Sequence, residues 1–237
     1  QDISCIGKCS LTVALPIISA LGVETAILPT AVLSTHTMFN KFTFHDLTDE
    51  IVPITNHWRE EHIDFDSIYT GYLGSAKQID LVAALFDEFK TENNLIIVDP
   101  VMADNGKLYP GFDEAYAAQM TSLCAKADIV MPNITEASFL TKMDYKESYD
   151  ENYIKKMLQN LAGLGARISI LSGVSFEEDT TGVMGYDREN NEYFYYKNKK
   201  IDANFHGTGD IFASTIVGAI GNNLTWKEAI PIAADYT

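Results

Sequence analysis

Basic residues are scarce in this chain: 17 Lys and Arg stand against 33 Asp and Glu, for a formal net charge of −16 at pH 7. A surface of that sign argues against nucleic acid or an anionic membrane as the main partner, because both are bound through basic patches. It leaves room for a nucleotide, whose phosphates main-chain amides and a divalent cation can hold. A Walker-type lysine motif is lacking as well. Only three cysteines occur, Cys5, Cys9 and Cys124. Cys5 and Cys9 are four apart, but no second pair and no nearby histidine completes a zinc site, so buried free thiols in a reducing cytoplasm are expected. His45, His57, His62 and His206 likewise offer no metal-ligand spacing. There is no signal peptide and no apolar run long enough to cross a bilayer. No repeat, low-complexity tract or linker divides the 237 residues, so one domain is expected.

What is present alternates between strand and helix patterns. Residues 2–6 read as the tail of a buried strand ending at Gly7. Ser10 reads as the cap of a helix with Leu11, Leu15, Ile18 and Leu21 on one face, which Pro16 should kink or shorten. A second strand is expected at 23–28, a Thr/Ser/His-rich loop at 34–40, a helix at 47–62 and a strand at 67–70. Ile79, Val82, Leu85, Phe86 and Phe89 mark an amphipathic helix. The continuous apolar run 95–98 suits a strand covered on both faces and ends at Asp99-Pro100. A polar, mobile loop through Asp104, Gly106, Tyr109 and Gly111 follows, then a helix at 113–124, a strand at 128–131 and a helix opened by Glu136 with Thr135 as its cap. A helix at 152–164 leads to a strand at 167–171 that closes at Ser172-Gly173. The alternating runs 181–186 and 192–196 read as a β-hairpin, and helices are expected over 208–221 and from Trp226 onward. Strands separated by helices imply right-handed βαβ units in a mostly parallel sheet, with the hairpin as its antiparallel edge.

The most telling stretch is Gly207-Thr208-Gly209-Asp210, which leads directly into an apolar helix. Such a turn aims backbone N–H groups, at the positive end of a helix, toward an anion. Glycine lets a phosphate approach the backbone. A carboxylate beside a phosphate is repelled by it, unless it takes a proton from an attacking hydroxyl. The plain alternative is an ordinary N-terminal carboxylate on a turn that glycine only shapes. Asp99, Asn133 and Ser172 each follow an expected strand, and ligands of open α/β sheets bind outside the carboxyl ends of the strands. Glu136 lies one helical turn beyond Asn133. Each residue also has an ordinary structural use. Asp99 suits a strand-to-loop turn, although a carboxylate ending a buried strand is costly without a partner. Asn133-Ile134-Thr135-Glu136 suits a helix start, His36 a hydrogen-bonded loop histidine, and Tyr72 packed core. Ser10 lacks the His/Asp partners of a nucleophile.

Taken in order, Ser34-Thr35-His36-Thr37, Thr70-Gly71-Tyr72, Asp99-Pro100-Val101-Met102-Ala103-Asp104, Pro132-Asn133-Ile134-Thr135-Glu136 and Gly207-Thr208-Gly209-Asp210 resemble the pyridoxal (pyridoxine/pyridoxamine) kinases of the ribokinase-like superfamily. The resemblance runs over nearly the whole chain. It implies a three-layer α/β sandwich, a single kinase domain over 1–237, and a cytoplasmic homodimer; a few natural terminal residues are expected to be absent, since the sequence opens inside a strand pattern and stops inside a helix pattern. It implies ATP-dependent phosphorylation of the 5′-hydroxymethyl group of a vitamin B6 vitamer, with Mg²⁺ and a possible role for a monovalent cation. Asp210 would be the base, with the amides of Gly207, Thr208 and Gly209 as the anion hole. Asp99 and Glu136 would lie around the metal, and Asp104, Asn133 and Ser172 around the triphosphate, directly or through water. Tyr109 would stand on the covering loop, while Asp2, His36, Thr37 and Tyr72 would line the pyridine pocket. Asp2 occupies a position that is often serine in well-known members. Asn204 stands where many sugar kinases of the superfamily carry aspartate, which turns the expectation away from a sugar. A hydroxymethylpyrimidine kinase of the same superfamily, and a catalytically idle vitamer-binding protein, are the alternatives.

Overall fold

The structure is a computed structural model and describes residues 1–203 and 205–237. Asn204, singled out above, lies outside the described residues. The chain is mixed α/β and divides into two compact units, residues 1–94 with 203–237, and residues 95–202.

The first unit opens on β1 (Ile3–Ser4), which runs parallel to β2 (Ala31–Leu33). β2 in turn pairs antiparallel with β3 (Phe44–Asp46). Between β1 and β2 lies α1 (Leu11–Ala20), which buries Val13, Ala14 and Ile18 and continues through Pro16 instead of stopping there. The strand expected at 23–28 does not form. The three residues of β2, further along, are the ones that pair on both sides. There follow α2 (Thr48–Glu60), β4 (Ser67–Thr70) and α3 (Ala76–Phe89). The apolar stripe of α3 behaves as its spacing requires: Ile79, Val82, Leu85 and Phe86 are buried. Gln78 is buried beside them at no polar cost. Its amide donates to the Thr30 carbonyl (3.0 Å) and Thr48 Oγ1 (2.9 Å) and accepts the Gly74 N–H (2.8 Å).

In the second unit β5 (Leu95–Val98) is followed by a small hairpin of β6 (Ala103–Asp104) and β7 (Lys107–Leu108), then α4 (Glu114–Cys124), β8 (Ile129–Val130), α5 (Ile134–Thr141) and α6 (Glu151–Leu164). The remaining strands are β9 (Ile168–Val174), β10 (Thr180–Asp187) and β11 (Glu192–Lys199). Within this unit the sheet order is β11-β10-β9-β8-β5. β5, β8 and β9 are parallel, while β10 and β11 form the antiparallel hairpin that the alternation predicted. Asp150 caps α6 by accepting the Tyr153 N–H (2.8 Å). The buried Ile154, Met157, Leu158, Leu161 and Ala162, at helical spacing, pack that helix onto β9 and β10. The polar loop expected through Asp104 contains a hairpin whose strands are only two residues long.

The chain then returns to the first unit as α7 (Thr208–Gly221) and α8 (Trp226–Tyr236). α7 packs on both α1 and α8, which is why it is apolar around its circumference, with every residue from Phe212 to Ala219 buried. Among the described residues no helix is long and apolar enough to cross a membrane.

Candidate active site

In the first unit the chemistry gathers at the start of α7. Gly207 is its N-cap, in the left-handed region at φ 85°. A β-carbon there would collide with the carbonyl oxygen of Lys8, so only glycine lets this turn meet the 7–10 loop. The N–H groups of Thr208, Gly209 and Asp210 belong to the first helical turn and have no acceptor within the helix. A β-carbon built on Gly209 would meet no heavy atom within 4 Å, so the turn is open beside Gly209. Asp210 completes the turn. Its Oδ2 accepts the Ser10 N–H at 2.9 Å. Burial pushes its carboxyl up to about 6; the Ser10 N–H counteracts this, and the negative charge of Asp2 adds to it.

Ser10 does not cap α1. Its side chain makes no cap hydrogen bond, and its backbone stands at φ 53°, ψ −138°. That conformation is one glycine adopts in tight turns, and it costs a residue with a β-carbon roughly 1–3 kcal/mol. The hydroxyl goes elsewhere: Ser10 Oγ donates to Asp2 Oδ1 at 2.5 Å, and Ser4 Oγ donates to Asp2 Oδ2 at 2.9 Å. Of the other residues assigned above to an acceptor pocket, Tyr72 is half-buried, and its hydroxyl pKa is raised by burial and by the Asp2 charge. His36 stacks on His206 with ring centroids 4.1 Å apart, and its Nδ1 accepts the Met38 N–H at 3.3 Å. Burial, and then His206, lower the pKa of His36. Thr37 is exposed. Cys9 and Cys124 are buried thiols as expected, but Cys5, just past the end of β1, is exposed.

In the second unit Asp99 directly follows β5, Asn133 lies just beyond β8, and Ser172, expected to close its strand, lies within β9, which runs on to Val174; Asn133 and Ser172 pair as a parallel bridge. Asn133, not Thr135, caps α5. Its Oδ1 accepts the Glu136 N–H (2.9 Å) while Glu136 Oε2 accepts the Asn133 N–H (2.9 Å), a reciprocal capping box. Thr135 is freed to accept the Gly106 N–H (3.0 Å), and Asn133 Nδ2 donates to the Ala103 carbonyl (2.9 Å), so the start of α5 holds the β6–β7 hairpin. Glu136 is 3% exposed, and its second oxygen accepts the Met102 N–H at 3.1 Å. Burial raises its pKa against the pull of these amides. Asp99 is buried, Asp104 is exposed with its carboxylate on Asn105, and Tyr109 is half-buried with its N–H on the Met102 carbonyl (2.9 Å). Burial, and then the negative charges of Glu136 and Asp99, push the Cys124 thiol up. No cluster of three or more His, Cys, Asp or Glu able to hold a metal occurs among the described residues. Two buried carboxylates with oxygen donors only suit a hard cation that keeps most of its water. Ser10, Thr135 and His206 were not legible as contributors, because each acts through a partner on another segment.

The phosphomethylpyrimidine kinase family matches residues 14–237. A Bacteroides thetaiotaomicron protein provisionally named a phosphomethylpyrimidine kinase, and crystallised with pyridoxal, is 38% identical, with a TM-score of 0.94 over 99% of this chain and 82% of its own. A pyridoxal kinase from Lactobacillus plantarum is 31% identical, with a TM-score of 0.90 over 99% of this chain and 83% of its own. The pyridoxal kinase of Dictyostelium discoideum is 27% identical over 214 residues, 84% of this chain and 69% of that protein. The chain spans about two thirds of the length of the curated relatives it matches.

Proposed function

Because the chain belongs to the phosphomethylpyrimidine kinase family, within the ribokinase-like superfamily, we propose that it transfers the terminal phosphoryl group of ATP to the 5′-hydroxymethyl group of a vitamin B6 vitamer. The observation that carries this proposal is the Asp210 carboxylate, held by the Ser10 N–H in the first turn of α7 among amides that have no acceptor within the helix, and lifted by burial to about 6. A carboxylate with that pKa is ionised at neutral pH yet basic enough to take a hydroxyl proton as the new bond forms. The vitamer oxygen bonds to the γ-phosphorus, the bond from phosphorus to the bridging oxygen breaks, ADP leaves, and the proton passes to Asp210 and then to solvent. The amides of Gly207, Thr208 and Gly209 stabilise the equatorial charge, a role suited to phosphoryl transfer, in which positioning and charge neutralisation do most of the work.

A kinase that uses ATP calls for a divalent cation, and Mg²⁺ fits the oxygen donors of the second unit. It would neutralise charge on the phosphates, held by Asp99 and, through water, by Glu136, whose oxygens are already engaged by amides. Asn133, Ser172, Asp104 and Tyr109 are assigned to the triphosphate, and His36, Thr37 and Tyr72 to the acceptor. Both units belong, in this proposal, to one kinase domain that acts as a homodimer. Phosphorylation of a hydroxymethylpyrimidine is the second reading, favoured by the family's own name. An ADP-release screen over pyridoxal, pyridoxine, pyridoxamine and hydroxymethylpyrimidine decides between them. A kcat/KM at least tenfold higher for the pyrimidine than for every vitamer overturns the vitamin B6 assignment, and no ADP with any acceptor overturns both.

A further inference from the structure

The contacts behind Asp210 assign a role to Asp2 that differs from ring binding; the inference rests on Asp210 being the base. Ser10 delivers its N–H to Asp210 Oδ2 at 2.9 Å while its backbone stands at φ 53°, ψ −138°, a conformation that a serine does not hold unaided. Asp2 grips it from two sides. Asp2 Oδ1 accepts the Ser10 hydroxyl at 2.5 Å, and the Asp2 carbonyl accepts the N–H of Leu11, the next residue, at 3.1 Å. The grip is itself fixed, since Asp2 Oδ2 accepts the Ser4 hydroxyl at 2.9 Å. Asp2, Ser4 and Ser10 are 4%, 2% and 6% exposed. Both carboxylate oxygens are thus engaged by hydroxyls, and almost no surface of the residue is left for a ligand. Only an ionised carboxylate accepts two hydroxyls at once with charge-assisted strength. We propose that Asp2 is a positioning residue for the base Asp210, acting through the strained Ser10 peptide, and not a residue that binds the acceptor ring.

Two substitutions test this by the division of their effects between kcat and KM. Asp2→Asn keeps the shape but loses the charged acceptor. Ser10→Gly adopts the observed backbone without strain and so folds, but it has no hydroxyl for Asp2 to hold. With pyridoxal and ATP, each variant lowers kcat about 10-fold, as expected when a reacting group is displaced by a fraction of an ångström, while both KM values stay within about twofold. The double variant falls no further than the worse single one, because both act along one path. A raised KM for pyridoxal at unchanged kcat in Asp2→Asn places that residue against the ring and overturns the proposal, as does wild-type turnover in both single variants. Asp210→Asn, run alongside, separates the two levels. If it is inactive while the Asp2 and Ser10 variants turn over normally, only the positioning role fails. If it turns over normally, the assignment of the base fails and takes this inference with it.

Discussion

Gly209→Ala tests the anion cradle in a way that separates stability from catalysis. Gly209 is the second residue of α7 and does not have a positive φ, so alanine fits its backbone. The new methyl meets no heavy atom within 4 Å and therefore collides with nothing in the folded chain. Replacing glycine by alanine in a helix is worth about 0.5–1 kcal/mol, and near the first turn the lower figure applies. For a chain of this size that corresponds to a Tm rise of roughly 1–2 °C. The same methyl stands on the first turn of α7, beside its amides. If a phosphoryl oxygen must come within hydrogen-bond distance of those amides, the substituted turn loses at least one such donor, a change that costs on the order of 10²–10³ in kcat. The expected outcome is a slightly more stable protein with kcat/KM for pyridoxal reduced about 10²-fold, read by thermal melting and by coupled ADP release. A variant that melts higher and keeps wild-type kcat/KM refutes the idea that phosphoryl transfer uses this space. Gly207→Ala is the contrasting case. Its left-handed φ costs alanine about 1–2 kcal/mol, and its methyl collides with the Lys8 carbonyl, so it should lower Tm and activity together.

Asp210→Asn should lower kcat by about 10² or more with nucleotide affinity, measured by titration with ADP, nearly unchanged. Because the carboxyl of Asp210 is raised to about 6 in the ligand-free chain, kcat/KM should climb as pH rises through 6, and a flat profile between pH 5 and 8 would contradict its role as base. The same shift has a sign for stability: a carboxyl raised on folding favours the fold as pH falls from about 6 toward its unfolded value, and it opposes the fold above that range. Asp210→Asn should therefore be more stable than the native chain at pH 8, by something on the order of 1 kcal/mol in urea unfolding. Asn133→Ala removes both the α5 cap and the bond to the Ala103 carbonyl; it should cost about 1–2 kcal/mol and speed amide exchange in the β6–β7 hairpin.

The elements that could be read directly were those whose signal lies within one turn or one strand. The run 95–98, the stripe of α3 and the span of α7 carry their burial pattern in consecutive residues, and the structure forms them where that pattern places them. The elements that escaped are defined by their partners. β3 is exposed at all three of its residues and has no alternation to detect; it exists because β2 offers it an edge. β2 stands at 31–33 and not at 23–28 because those are the residues that meet β1 on one side and β3 on the other. β6 and β7, two residues each, owe their order to Thr135 and Asn133 at the start of α5, some thirty positions away.

The candidate site divides along the same line. Asp99, Asn133 and Ser172 were legible because each ends an apolar run, and adjacent parallel strands bring such ends together. The Asp2–Ser10–Asp210 chain was not, because its two links span 8 and 200 positions. Ser10 is the instructive residue. A serine just before an apolar helix is a sound prediction of a cap, since the competing donors and acceptors considered are its own backbone. Here a buried aspartate eight residues earlier offers that hydroxyl a charged acceptor, and such a bond is roughly twice as strong as one between neutral groups. The hydroxyl turns back to Asp2, the peptide twists into a glycine-like conformation, and its N–H comes to face Asp210. The local signal failed at the position where the fold holds a strained backbone beside its candidate base, as expected where strain serves a site and not the packing of a core.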